Sequence, residues 1–266
     1  MYLKIGITMI KSCFSLILST FLLLTSHFSY ADKDITYVVG AGGTYRPFEY
    51  ENTQRQLEGF DIDIIQAIAD VENFNIKLIN TPWDSIFASL NNGERDIIIS
   101  GITITDKRKK SVDFSFPYFP AEQVVVTQAQ SSITSLEDLK TKTVGVVNGS
   151  TADVVVSKVL GMNSKAIKRF DNTPLLLQDL YEEGIDAAVS DVGVVKFYIK
   201  MHPGKDFNLI ADQNFEPQYF GIAVAKGNDK LLNSINEGLK KIIANGTYAT
   251  IYAKWFDENV PTLPIN

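Results

Sequence analysis

Thiol and imidazole groups are almost missing from this 266-residue chain, which has one cysteine, Cys13, and two histidines, His27 and His202. One thiol excludes an internal disulfide, and a chain freed of Cys13 and His27 would hold neither a Cys/His zinc site nor a paired-His metal site. Cys13 and His27 fall in an N-terminal stretch that reads as a removable leader. Lys4 and Lys11 precede the apolar run from Phe14 to Leu24, FSLILSTFLLL, and Ser29-Tyr30-Ala31 puts small residues where a signal peptidase cleaves. Cleavage is expected after Ala31. A membrane anchor is the competing reading, but the apolar core is shorter than the ~20 residues a spanning helix needs. Without 1–31 no thiol remains, and a Ser-His-Asp triad would have to use His202 in the turn sequence KMHPGK.

Positive charge is also in deficit. Lys and Arg number 25 against 31 Asp and Glu, a formal charge of −6, and losing Lys4 and Lys11 with the leader makes it −8. An acidic chain without a basic patch does not suit nucleic acid. No cofactor motif is present, so neither a metal nor an organic cofactor is expected. The remaining length suits one large domain or two ordinary ones.

What is present is alternation of strand and helix. Strands are expected at Ile35–Gly40, Ile76–Ile79 and Asp96–Ile104, with a turn at Tyr45-Arg46-Pro47-Phe48. Helices are expected from Phe60 to Phe74, where Ile64, Ile65, Ile68, Ala69 and Val71 recur at helical spacing, and from Asp84 to Asn91. A second round follows. Ser135-Leu136-Glu137-Asp138 resembles a capping box, and Thr143–Val147 and Ile167–Phe170 read as strands. Helices start at Asn148-Gly149-Ser150-Thr151 and Asn172-Thr173-Pro174, and another covers Val192–Met201 before a short strand at Asn208–Ala211. Leu231–Ile243 and a final helix capped by Thr247 close the chain.

Two segments echo each other. LNNGERDIIIS, Leu90 to Ser100, and LYEEGIDAAVS, Leu180 to Ser190, keep the Leu-to-Asp and Asp-to-Ser spacings. With similar alternation on either side, the echo implies two lobes of similar plan. Phe119–Val126 and Gln218–Val224 read as extended connections between them. The expected division is lobe 1 over 32–122 and 218–266, and lobe 2 over 123–217, with a cleft that two hinge strands allow to close.

Ligands of open parallel α/β sheets bind beyond the carboxyl ends of the strands. For the echoing strands those ends are Ser100-Gly101-Ile102-Thr103 and Ser190-Asp191. The cation run Lys107-Arg108-Lys109-Lys110 follows the first. Charge runs are usually solvated, which accounts for the lysines, whereas Arg108 could face the cleft. An arginine fork matches a carboxylate and an aspartate matches an ammonium, so Arg108 and Asp191 together complement an α-amino acid zwitterion. The Asn148–Thr151 turn offers backbone N–H groups at a helix start, or Ser150 or Thr151 simply caps that helix. Tyr45 and Trp83 present flat faces to a side chain, or pack.

Several motifs carry a family resemblance. Gly59-Phe60-Asp61-Ile62-Asp63, Gly101-Ile102-Thr103-Ile104-Thr105-Asp106-Lys107-Arg108, Asp113-Phe114-Ser115 with Pro117-Tyr118, and Asn245-Gly246-Thr247-Tyr248 with Lys254-Trp255-Phe256 resemble the polar amino-acid family of periplasmic solute-binding proteins, which serve ABC importers. The resemblance runs over 32–266. It implies an α/β, two-lobe periplasmic-binding-protein (Venus-flytrap) fold with two hinge strands. It also implies a monomeric, periplasmic, non-enzymatic protein that hands a free amino acid to the permease subunits of an ABC transporter. By resemblance, Arg108 clamps the α-carboxylate and Asp191 the α-ammonium. Ser100, Gly101, Thr103 and Thr151 add contacts, Tyr45 and Trp83 sandwich the side chain, and Val147 stands at the distal end.

Two departures bear on specificity. Gly42 stands where glutamine-type and basic-type members often carry aspartate, and Val147 where glutamine-type members carry lysine. The distal end is therefore expected to be less charged, favouring an uncharged polar side chain. Trp83 is similar to cystine-type members and VGVVNGST to arginine- or lysine-type ones, so glutamine, cystine and arginine remain in view. Competing readings are a cyclohexadienyl (arogenate/prephenate) dehydratase-like enzyme on the same scaffold, for which Glu122, Glu216 and His202 are weak acids to offer, and a ligand-sensing partner of a receptor.

Overall fold

The computed structural model describes residues 35–265, so the expected leader over 1–31 lies outside the described residues. The chain opens with β1 (Thr36–Ala41), a small meander of β2 (Thr44–Tyr45), β3 (Glu49–Glu51) and β4 (Leu57–Glu58), then α1 (Phe60–Val71) and β5 (Asn75–Asn80). It continues through α2 (Ile86–Asn91), β6 (Ile97–Ile98), β7 (Val112–Phe114) and β8 (Phe119–Ala121). Next come β9 (Gln123–Gln128), β10 (Val144–Val147), α3 (Thr151–Leu160), β11 (Ile167–Phe170) and α4 (Thr173–Tyr181). After them are β12 (Ala187–Asp191), α5 (Val192–Met201), β13 (Phe207–Ile210), β14 (Gln218–Phe220) and β15 (Ala223–Ala225). Helices α6 (Asp229–Ala244) and α7 (Thr247–Trp255) finish the described chain.

Two five-stranded sheets result, ordered β5-β1-β6-β15-β7 and β11-β10-β12-β9-β13. Their plans match. In each, three parallel strands are followed by two whose neighbours run antiparallel. The sequence echo has a physical counterpart here. Asp96 Oδ2 accepts from the Val38 N–H at 2.7 Å and Asp186 Oδ2 from the Thr143 N–H at 2.7 Å, so each aspartate pins the start of a neighbouring parallel strand. Between the sheets, β8 and β14 pair antiparallel as a two-stranded ribbon.

Helix α1 buries Phe60, Ile64, Ile65, Ile68 and Ala69, each worth about 1.5–3 kcal/mol for the larger side chains. Asp61 and Asp63 lie in its first turn, where the helix dipole favours anions. Beneath the ribbon, Phe48 meets Phe119 at 4.8 Å and Phe220 at 5.1 Å between ring centroids, both edge to face, a geometry aromatic quadrupoles prefer. This aromatic knot, continued by Phe60 and Phe256, fixes the ribbon from which both sheets depart.

Local differences from the sequence reading have physical causes. Asp96–Ile104 is not one strand: pairing stops after Ile98, because Gly101 takes φ 51°, a left-handed conformation that ends extended structure. The chain returns to β structure only in the isolated bridge of Thr103 with Phe220. Ser135 supplies half of a capping box, its N–H donating to Asp138 Oδ2 at 3.0 Å, while the turn that follows is 3-10. The last helix is preceded by Gly246 at φ 83° with no side-chain cap, so Thr247 begins the helix rather than capping it.

Candidate functional site

The carboxyl ends of β6 and β12 face a cavity of about 450 Å³ between the two sheets. After β6 the left-handed turn at Gly101 brings the backbone against the Tyr45 ring; a Cβ there would lie 2.7 Å from Tyr45 Cε1. Five residues beyond the Thr103 bridge, Arg108 opens a single 3-10 turn, Arg108–Lys110. Lys107, Lys109 and Lys110 are exposed, whereas Arg108 turns inward and lines the cavity.

The Arg108 guanidinium donates to the Thr103 carbonyl through one N–H, at 2.8 Å, and lies 5.2 Å from the Trp83 ring and 5.3 Å from Phe87. Arginine has five N–H donors, so the fork keeps most of them for the cavity. Burial lowers its pKa to about 10, opposed by the nearby Asp191 and Tyr45, and it stays a cation at neutral pH.

Across the cavity, β12 ends at Asp191, which precedes α5 without capping it. Tyr45 donates its hydroxyl to Asp191 Oδ2. Oδ1 of Asp191 is sealed from solvent with no hydrogen-bond partner. Burial raises the Asp191 pKa to about 6, restrained by the Tyr45 hydrogen bond and the Arg108 charge. Burial and Asp191 in turn raise the Tyr45 phenol well above its ordinary value. Arg108 and Asp191 form no ion pair with each other. A cation and an anion therefore face one cavity from different sheets, each with unused capacity.

Of the nine residues the sequence singles out, Tyr45, Trp83, Ser100, Gly101, Arg108, Val147 and Asp191 line this cavity. Thr103 and Thr151 do not. Thr103 is buried, occupied by the Phe220 bridge and by holding Arg108 through its carbonyl. Thr151 turns to a neighbouring groove of about 710 Å³ and accepts from Gln123 Nε2 at 2.6 Å. Ser150 both lines the cavity and caps α3, accepting from the Asp153 N–H at 3.1 Å, so the two roles coexist. The Trp83 indole N–H donates to the Asn148 carbonyl at 3.0 Å, a hydrogen bond from one side of the cavity to the other.

Sequence reasoning passes over further lining residues, among them Glu49, Gln123, Asp84 and Asp171. Glu49 and Gln123 are buried polar groups on β3 and β9, and alternation there gives no sign of a cavity. Asp84 and Asp171 lie in loops after β5 and β11, in equivalent places of the two sheets. Among the described residues neither has a hydrogen-bond or ion-pair partner. Their signal was available, since each is an acid one or a few residues beyond a parallel strand. These loop acids add negative charge to the cavity wall beyond what Gly42 and Val147 indicate.

Comparison with known proteins identifies the scaffold. Residues 37–258 match the model of the bacterial extracellular solute-binding proteins, family 3. The chain belongs to that family. Over 227 residues this solute-binding protein is 42% identical to a probable histidine-binding protein of Neisseria gonorrhoeae, aligned across 85% of each chain. It is 33% identical over 236 residues to an L-arginine-binding protein of Pseudomonas aeruginosa, covering 86% of this chain and 90% of that one. Among solved structures, the arginine-, lysine-, histidine-binding protein ArtJ of Geobacillus stearothermophilus superposes with a TM-score of 0.81 at 39% identity, covering 85% of this chain and 96% of that one. The fold is the two-lobe α/β architecture of these amino-acid-binding proteins.

Proposed function

We propose that this protein captures a free L-amino acid with a cationic or polar side chain between its lobes and presents it to the permease of an ABC importer. The observation that carries the reading is a pair of opposite charges lining one cavity: Arg108, with most of its N–H donors uncommitted, and Asp191, whose carboxylate meets no cation. A zwitterion fills both at once. Its α-carboxylate meets the guanidinium fork and its α-ammonium meets Asp191, with Ser100 and Gly101 beside the carboxylate. Hydrogen bonds to charged groups return roughly 1.5–3 kcal/mol each, and a micromolar complex needs about 8 kcal/mol. Two well-met poles with a side chain against Tyr45 and Trp83 reach that range.

The free carboxylates of Asp84 and Asp171 on the cavity wall favour a cationic side chain over an uncharged one. The names of the histidine- and arginine-binding relatives point the same way. Thr103 acts through Arg108, and Thr151 through Gln123, rather than by touching the ligand. Lobe 1 comprises 32–122 and 218–266 and lobe 2 comprises 123–217, with β8 and β14 as the hinge. The mature protein starts after Ala31 and works in the periplasm, as a binder without turnover, and arogenate and prephenate incubated with it should stay unchanged.

Titration calorimetry with arginine, histidine, lysine, glutamine and cystine tests this. Micromolar or tighter binding of arginine or histidine is expected, with weaker binding of glutamine and cystine. Binding of none of the five would refute the reading, and a preference for cystine or glutamine would refute its cationic part.

A further inference from the structure

Against the Ser100–Gly101 corner lie two carboxyl groups, Glu49 at the cavity wall and Asp61 behind it, to which the amino-acid reading gives no contact with the ligand. Glu49, on β3, is 1% exposed, and Asp61, in the first turn of α1, is 0% exposed. Glu49 Oε1 accepts from the Ser100 hydroxyl at 2.6 Å, and that hydroxyl accepts from the Gly42 N–H at 3.1 Å. Asp61 Oδ2 accepts from the Gly101 N–H at 2.7 Å. Each carboxyl thus grips one residue of the corner. Each also has a second oxygen, Glu49 Oε2 and Asp61 Oδ1, that is sealed from solvent with no donor, and the Tyr118 hydroxyl beside them has no acceptor. The two carboxyls and the Tyr118 hydroxyl are neighbours in one buried pocket, and each bears on the ionisation of the others.

Two bare anions cannot stand in this place. The groups facing them are each other, Tyr118 from the segment ahead of β8, Tyr45 from β2, and the neutral Ser100 and Gly101. Among the described residues no lysine or arginine pairs with either. Like charges at contact in a dry site force one group to keep its proton. A single proton serves both orphaned carboxyl oxygens: placed on Glu49 Oε2, it is donated to Asp61 Oδ1. Asp61 is the better anion, since it holds the Gly101 N–H and sits at the start of α1.

We infer that Glu49 and Asp61 share one proton at neutral pH and, as a single buried anion, lock the Ser100–Gly101 corner against which the ligand carboxylate rests. They are positioning residues. The inference builds on the amino-acid reading of that corner, but the shared proton is a property of the protein alone. Burial, then the Asp61 charge, raises the Glu49 pKa well above its ordinary value, and burial raises that of Asp61 to about 6. The folded protein therefore holds the Glu49 proton more tightly than the unfolded chain does. Stability is lost as pH climbs from the ordinary glutamate range through the folded value.

Infrared spectroscopy of the whole protein at pH 7, with Glu49→Gln and Glu49→Ala variants, tests the assignment. A protonated-carboxyl carbonyl band is expected in the wild type and absent from Glu49→Gln, whose amide donates to Asp61 as the acid does. Thermal melts across pH should show an alkaline slope in the wild type that Glu49→Gln flattens. In calorimetry Glu49→Ala should weaken amino-acid binding by roughly tenfold or more, as expected for orphaning buried partners, and Glu49→Gln should rescue it. No wild-type band at neutral pH overturns the inference, as does a band that survives in Glu49→Gln or a failure of that variant to rescue. The infrared and thermal measurements need no ligand, so they decide the shared proton even where no amino acid binds. The wild-type band decides it even where a variant does not fold.

Discussion

At the scale of single residues, one cation run divides into two kinds of side chain. Lys109 is 55% exposed and bridges to Asp106, while its neighbour Arg108 is spent on the cavity. Arg108→Ala should weaken amino-acid binding by roughly a hundredfold or more, since it removes two charged hydrogen bonds. Lys109→Ala should shift stability by no more than about 0.5 kcal/mol. Calorimetry and thermal melts on the pair check both. Asp191 makes the binding itself sensitive to pH. Its pKa of about 6 lies above the ordinary 3.8, so the carboxyl takes up a proton as pH falls through about 6. The ammonium then loses its counter-charge, and affinity measured from pH 8 to pH 5 should drop below pH 6. Folding stability has the opposite slope there: ionising Asp191 in the folded state lowers stability as pH rises from 3.8 to about 6.

Among the elements, what sequence reveals is periodic and what it conceals is tertiary. The burial of Ile64, Ile65 and Ile68 along α1 and the paired roles of Asp96 and Asp186 are visible as spacing. The Leu-to-Ser echo correctly marks the two strand ends that face the cavity. By contrast, Glu49 reads as one more polar residue in a turn region, and only the fold shows it beneath Ser100. Asp84 and Asp171 escape notice because a loop acid has no periodicity to betray it. The short β6 escapes for another reason. Ile97 to Ile104 is apolar enough for a long strand, and the break depends on the space Tyr45 occupies beside Gly101. Gly101→Ala would bring a Cβ to 2.7 Å from Tyr45 Cε1 while holding φ at 51°. A loss of about 1–3 kcal/mol is expected, read as a lowered Tm, together with weaker ligand binding as Tyr45 is pushed from Asp191.

For the whole molecule, hydrogen bonds reach across the cavity from Tyr45 to Asp191 and from Trp83 to the Asn148 carbonyl. Trp83→Phe keeps a flat ring but removes the second. It should cost roughly 0.5–1.5 kcal/mol of closure, seen as up to about tenfold weaker binding. A ligand that binds only the folded, closed form should raise Tm with concentration, worth about 2.7 kcal/mol at a hundred times Kd, and a fluorescence melt over a ligand series checks it. The path of the chain has a consequence for the order of assembly. Every strand of the second sheet falls within 123–210, so that sheet is complete in one uninterrupted stretch. The first sheet waits, because Ala223–Ala225 is the inner rung that joins β6 to β7. A nascent polypeptide still short of Ala223 carries two raw strand edges that nothing covers. The half made first is therefore the half finished last, and its exposed edges are a hazard only while the tail of the protein is unmade.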